Sequence, residues 1–319
     1  MKLLDISLND LDLQDERFRT SYHYDLEKFL VSIKKIGLIN PLLIVKRDAS
    51  KYVVVSGWKR LTACVELALT NIPAFLIEQE DDFRVFLLSL YENWAIRKFT
   101  ILEKAEILIR LNGFIEDEKK IVTRFFPLLD IPSNLSYFDL YHKIALLDTD
   151  WKKLIFQKKI PLSSIQLLTE MTPEDRNSLI PLILPLNVNK LKSFIEDMYE
   201  LSKITGSPPK VLLSTPEFQS VRRSDTLSAL QKAEKIRSLV QEKRYPTLSS
   251  WKNSFQASIK KARLSKDVAF DSSSFFEDGE FNVTFSLRDK EGFRKRISKL
   301  LELTADKDFF SVFDRSSDG

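Results

Sequence analysis

Apolar residues recur at helical spacing through most of this chain and turn strand-like mainly toward its two ends. Leu26, Phe29, Leu30 and Ile33 share one face of a helix predicted over residues 24–36, and Gly37 suits the position just past its end. Two strand-favouring runs, 42–45 and 52–55, flank a polar turn at 47–51 and predict a hairpin. A helix over 59–68 follows, then Asn71-Ile72-Pro73 and a third strand over 74–77. Asp81 or Asp82 opens the next helix, where Phe83, Phe86, Leu87, Leu90, Tyr91 and Trp94 recur at helical intervals until Glu92-Asn93 ends it. With a short strand and an irregular arm over 1–25, these elements predict a small α/β unit.

From Thr100 the strand signals vanish. Thr100 caps a helix that reaches 111 and ends near Gly113, a second covers 116–129, and Pro132-Ser133-Asn134 starts a third that reaches 147. Shorter helices are expected over 150–158, 163–170 and 174–183, and a longer one from Val188 ends near Gly206. Ser207-Pro208-Pro209 reads as a linker. Two helices, 225–244 and 248–263, are then separated at Tyr245-Pro246, which breaks a helix. After the turn signal Asp278-Gly279 the period becomes two, with Phe281, Val283, Phe285 and Leu287 alternating, and a helix carrying Phe293, Ile297, Leu300 and Leu301 follows. The expected fold class is α+β, in four segments: 1–99 α/β, 100–206 all-α, 207–266 basic and helical, 267–319 a hairpin plus helix.

Hydrophobic content of 44% with 29% charged residues is that of a globular chain, and seven glycines argue against long flexible linkers. No apolar run reaches the ~18–20 residues that span a membrane. The opening Met1-Lys2-Leu3-Leu4-Asp5 turns acidic too early for a secretory signal, and a single cysteine fits a reducing compartment, so a cytoplasmic protein is expected. Cys64 reads either as a small core residue or as a reactive thiol. Net charge is +4, but residues 222–263 hold eleven Lys/Arg against three Asp/Glu. Such a segment suits a polyanion or forms a solvated helical face.

The most informative stretch is Tyr52-Val53-Val54-Val55-Ser56-Gly57-Trp58-Lys59-Arg60. A strand stops at glycine and a helix begins with two cations in its first turn. Free backbone N–H groups, the helix dipole and those cations together favour a phosphate or carboxylate. An ordinary strand-to-helix corner with surface cations has the same pattern.

Three blocks in register resemble the N-terminal domain of the ParB family. Gly37-Leu38-Ile39-Asn40-Pro41-Leu42 stands where the family has Gly-x-x-Gln-Pro before a strand. Ser56-Gly57-Trp58-Lys59-Arg60-Leu61-Thr62-Ala63 stands for Gly-Glu-Arg-Arg-x-x-Ala, and Glu92-Asn93-Trp94-Ala95-Ile96-Arg97 for Glu-Asn-x-Gln-Arg. The resemblance implies a pocket for CTP or another nucleotide with Mg²⁺. Nucleotide contacts would come from Gly37, Asn40, Ser56, Gly57, Lys59, Arg60, Asn93 and Arg97, and metal contacts from Glu92 and Asn93. The chain departs from the pattern at Trp58, in place of an acid; at Ile96, in place of an arginine; and at Asn40, in place of glutamine. A sulfiredoxin-like site on the same fold needs a cysteine after Gly57, where Trp58 stands.

The following helices resemble the family's helix-turn-helix domain, with 116–129 supporting, a turn at Asp130-Ile131-Pro132, and 133–147 offered to the major groove of double-stranded DNA. Ser133, Asn134, Ser136, His142 and Lys143 are the implied DNA contacts, opposed by Asp139. Residues 100–160 carry ten Lys/Arg and nine Asp/Glu, too near neutrality for strong phosphate binding alone. The end of the chain, with Phe275, Phe276, Phe309, Phe310 and Phe313, fits a dimerisation module or a plain core. Three functions remain open: a nucleotide-switched DNA-binding homodimer with at most weak triphosphatase activity, a phosphotransfer or nuclease enzyme using Glu92, or a nucleotide-independent interaction module.

Overall fold

The computed structural model describes residues 1–22, 26–47, 51–261, 268–272, 281–286 and 289–304. The predicted helix start at Tyr24, the turn centre 48–50, Asp278-Gly279, Leu287 and the aromatics Phe275, Phe276, Phe309, Phe310 and Phe313 lie outside them. The chain divides into two compact units, Met1–Glu170 and Met171–Gly319, so the predicted division at 99/100 falls inside the first and that at 206/207 inside the second.

The first unit begins with β1 (Lys2–Ser7), β2 (Leu11–Asp12), α1 (Glu27–Ile36), β3 (Leu42–Lys46), β4 (Tyr52–Ser56), α2 (Trp58–Glu66), β5 (Asn71–Ile77) and α3 (Asp82–Ile96). Its five-stranded sheet has the order β1-β5-β3-β4-β2. The predicted β3–β4 hairpin is antiparallel, while β5 joins β3 in parallel and takes β1 antiparallel on its other side. Pro73 faces Asp5 of β1, and pairing with β3 starts one residue later at Ala74, so its missing N–H interrupts no bond to β3. A core of Leu42, Ile44, Val54, Leu61, Ala63, Cys64, Ile72 and Ala74 sits between the sheet and the helices α1 and α2. Cys64 is a fully buried member, and burial pushes its thiol pKa up against the pull of Arg60.

Five helices complete this unit: α4 (Ile101–Phe114), α5 (Glu118–Phe125), α6 (Leu135–Ala145), α7 (Thr149–Lys158) and α8 (Leu162–Thr169). Thr100 caps α4 in a reciprocal box with Glu103, worth about 1 kcal/mol of helix stability. The helix ends at Phe114, one residue past Gly113. The second predicted helix stops at Phe125, four residues early, because Pro127 has no N–H to continue the ladder. α6 starts at Leu135 behind Asn134, whose side chain accepts from the Ser136 N–H, so Ser133 lies outside the helix.

The second unit comprises α9 (Pro173–Ile183), α10 (Val188–Thr205), α11 (Pro209–Leu212), α12 (Pro216–Arg222), α13 (Ala229–Arg244), α14 (Pro246–Lys261), the antiparallel pair β6 (Val268–Ser272) and β7 (Phe281–Phe285), and α15 (Lys290–Thr304). Ser207-Pro208-Pro209 is not a linker. Pro209 is the buried first residue of α11, where a ring-fixed φ favours helix, and the Lys210 N–H donates to Asp175 Oδ1 at 3.1 Å. The predicted helix 225–244 begins only at Ala229, because the Ser228–Gln231 capping box fixes its start. The basic segment is partly neutralised within this unit. Arg244 pairs with Asp197 and Glu200, Lys243 with Glu217, and Arg237 with Glu234, which also binds Lys190.

Candidate functional site

β4 runs into α2 through Gly57, whose φ of 102° and ψ of 19° lie in the left-handed region. An added Cβ would meet Leu42 Cδ2 at 2.5 Å, so the corner needs glycine for both conformation and space. No side chain caps α2, and the N–H groups of its first turn have no intrahelical acceptor. In front of that helix start lies a cavity of about 460 Å³.

The second and third sequence blocks meet at this cavity. Ser56, Gly57, Lys59 and Arg60 line it from the β4–α2 corner, and Glu92, Asn93, Ile96 and Arg97 from the end of α3. Gly37 and Asn40 do not reach it. The first block takes part through its backbone. Arg60 Nη1 donates to the carbonyls of Asn40 at 2.9 Å and Pro41 at 2.7 Å, while Nη2 lies 3.8 Å from Glu92 Oε1. Arg60 therefore straps all three blocks together. Burial pushes its pKa below the ordinary arginine value, and Glu92 partly offsets that.

The other site side chains are also engaged. Lys59 Nζ sits 4.5 Å from the centre of the Phe29 ring, and Asn93 Nδ2 donates to the Ser89 carbonyl at 2.9 Å, leaving Oδ1 as its acceptor. Glu92 Oε2 is enclosed without a hydrogen-bond partner. α3 does not end at Glu92-Asn93: no glycine or proline interrupts it, and the Arg97 N–H still bonds the Asn93 carbonyl. Arg97 itself is extended, with φ −158° and ψ 159°, and ends the helix. It donates to Glu103 Oε2 at 2.9 Å, while Ile96 is 76% exposed at the rim.

Trp58 lines the hollow but does not fill it. It is 7% exposed, packs in the core with Leu61 and Ile33, and carries the Arg19 guanidinium 5.2 Å from its ring centre. Its Nε1 is buried with no partner.

Sequence reasoning missed the far wall: Thr20, Ser21 and Tyr22 of the arm, Phe29 of α1, Thr100 and Glu103 of α4, and Phe156 of α7. Glu103, 4% exposed, gathers that wall by accepting from the N–H groups of Tyr22 and Thr100 as well as from Arg97. The Thr100–Glu103 spacing was a readable signal; the tie to Tyr22, 81 positions away, was not.

On α6, Ser136, His142 and Lys143 are exposed, as are Ser133 and Asn134 before it; Asn134 is also the helix cap. Exposed Leu135 and Asp139 share that surface. Among the described residues no cluster of three His, Cys, Asp or Glu forms a metal site, and no helix is long and apolar enough to cross a membrane.

Residues 2–94 match the family model of the ParB N-terminal domain. A probable chromosome-partitioning protein ParB of Borreliella burgdorferi is 33% identical over 104 residues, 33% of this chain and 39% of that protein. A nucleoid occlusion protein of Bacillus mycoides is 24% identical over 160 residues, 47% of this chain and 52% of that protein. The chain thus spans about half, or less, of these relatives. C-terminally truncated Caulobacter crescentus ParB complexed with CTP-γ-S aligns at 19% identity with a TM-score of 0.27, over 56% of this chain and 97% of that one. The same protein complexed to the centromeric parS site aligns at 15% identity with a TM-score of 0.33, over 60% and 98%. Residues 2–94, which hold the sheet and the glycine corner before α2, are thus similar to the ParB N-terminal domain.

Proposed function

We propose that this is a ParB-type protein that binds double-stranded DNA through its helical region and a nucleoside triphosphate, CTP first among the candidates, in its N-terminal domain. One observation carries the nucleotide reading: six of the eight residues assigned to the nucleotide by resemblance surround a single cavity at a helix start. The phosphates would lie before α2, where unpaired N–H groups and the helix dipole favour negative charge and Lys59 adds a cation. Arg60 acts chiefly by holding the walls.

Mg²⁺ fits the acid–amide pair. The orphaned Glu92 Oε2 and the Asn93 Oδ1 are hard oxygen donors, and two donors suit an ion that shares its shell with phosphates and water. Bound there, the ion would neutralise phosphate charge. α6 would enter the major groove as a homodimer's reading helix, with Ser133, Asn134, Ser136, His142 and Lys143 nearest the DNA.

Calorimetric titration of CTP, ATP and GTP into the full chain, with and without Mg²⁺, tests this. Saturable CTP binding is expected, with its Mg²⁺ dependence removed by Glu92→Gln. Binding of no nucleotide sinks the proposal and leaves the nucleotide-independent interaction module, a reading favoured by the internal engagement of Arg60 and Arg97. On the DNA side, Lys143→Ala should lower duplex affinity and reduce the salt slope by about 1, measured by anisotropy over a salt series. An unchanged slope removes α6 from the backbone contacts.

A further inference from the structure

A second cavity, of about 300 Å³, opens on the other side of the arm, bounded by α4 and α7. Its lining is polar: Arg19, Ser21 and Tyr22 from the arm, Glu106 and Arg110 from α4, and Lys153 from α7, with Glu16 at the edge. Ser21 and Tyr22 line both cavities. Arg19 stiffens the partition, donating from Nε to the Ser21 carbonyl at 2.9 Å while its guanidinium stacks on Trp58.

Among the described residues that line the recess, three cations, Arg19, Arg110 and Lys153, face two carboxylates, Glu16 and Glu106. Glu16 pairs with Arg19. Glu106 is shared by Arg110 Nη1 at 3.2 Å and Lys152 Nζ at 3.0 Å. Lys152 lies outside the lining, and Lys153 has no acid within ion-pair distance among the described residues. A recess with surplus positive charge and hydroxyl-bearing walls concentrates anions, and rigid guanidinium forks beside an ammonium suit a phosphate oxygen set.

We infer that this recess is a phosphate subsite, formed by Arg19, Arg110 and Lys153 and separate from the helix start of α2. The phosphate has two possible sources: the tail of a nucleotide in the adjoining cavity, or an independent phosphate ion. The first rests on the nucleotide reading above and the second does not.

The test is calorimetry on the full chain with inorganic phosphate, pyrophosphate, CMP, CDP and CTP, for the wild type, Lys153→Ala and Lys153→Arg. Lys153 is exposed, so neither substitution threatens the fold. Phosphate or pyrophosphate that binds the wild type about fivefold more tightly than Lys153→Ala, with Lys153→Arg restoring it, identifies an independent ion. If the inorganic anions do not bind but the gain from CMP to CTP shrinks about fivefold in Lys153→Ala alone, the nucleotide tail is the occupant. Nucleotide binding that Lys153→Ala leaves unchanged, with no inorganic anion bound, overturns the subsite and leaves the nucleotide reading standing. Phosphate binding without nucleotide binding does the reverse, and binding of nothing overturns both.

Discussion

Gly57→Ala, measured with and without Leu42→Val, tests the corner on which the site is built. At φ 102° an L-residue costs about 1–2 kcal/mol of backbone strain. Its Cβ would also stand 2.5 Å from Leu42 Cδ2 and 3.1 Å from Arg60 Nη2. The arginine tip can give way, but Leu42 is fully buried on β3, so overpacking adds about 1–3 kcal/mol. Gly57→Ala should therefore destabilise the first unit by about 2–5 kcal/mol. Leu42→Val removes the offending δ-carbon at a cost of about 1 kcal/mol alone. The double variant should then be more stable than the summed singles by the size of the clash, about 1–3 kcal/mol. Hydrogen exchange of β3 and β4 peptides across a urea series reads the four free energies within this unit. Additivity to within about 0.5 kcal/mol would show that no clash exists and would refute the steric argument.

Two other outcomes follow from side-chain geometry. Arg60→Lys keeps the charge but is a shorter side chain with no second nitrogen to face Glu92 while the first serves the Asn40 and Pro41 carbonyls, so the first unit should lose about 1–3 kcal/mol in the same exchange assay. Full stability with lost nucleotide binding would instead make Arg60 a phosphate ligand and not a strap. The Tyr141 hydroxyl is pushed up to about 12, by burial first and by Tyr137 second. Because the folded value lies above the ordinary 10, its contribution is intact below pH 10 and is lost as pH rises through about 12. The loss amounts to about 2–3 kcal/mol, and Tyr141→Phe should flatten that alkaline decline in the unfolding free energy. Parallel declines in both proteins would contradict it.

Much of the first unit was legible because its signals are local. The β3 and β4 runs, the capping Asp81 and Thr100, and the glycine after β4 each act within a few residues, through propensity, capping and φ preference. Misread boundaries had local causes too. Pro127 shortened α5, Pro209 began a helix instead of a linker, and the Ser228 box overrode an earlier start for α13.

By itself, then, the chain's order of residues determined most of the strands and helices of the first unit, and that a helix start with Lys59 and Arg60 follows Gly57. Tertiary structure alone decided what those side chains do. Arg60 faces the carbonyls of Asn40 and Pro41, Arg97 and Tyr22 meet at Glu103, and Trp58 packs into the core while it lines the hollow. Apart from Arg97 and Glu103, these hydrogen-bond partners lie 19 to 81 residues apart, and which donor meets which oxygen depends on how the elements pack.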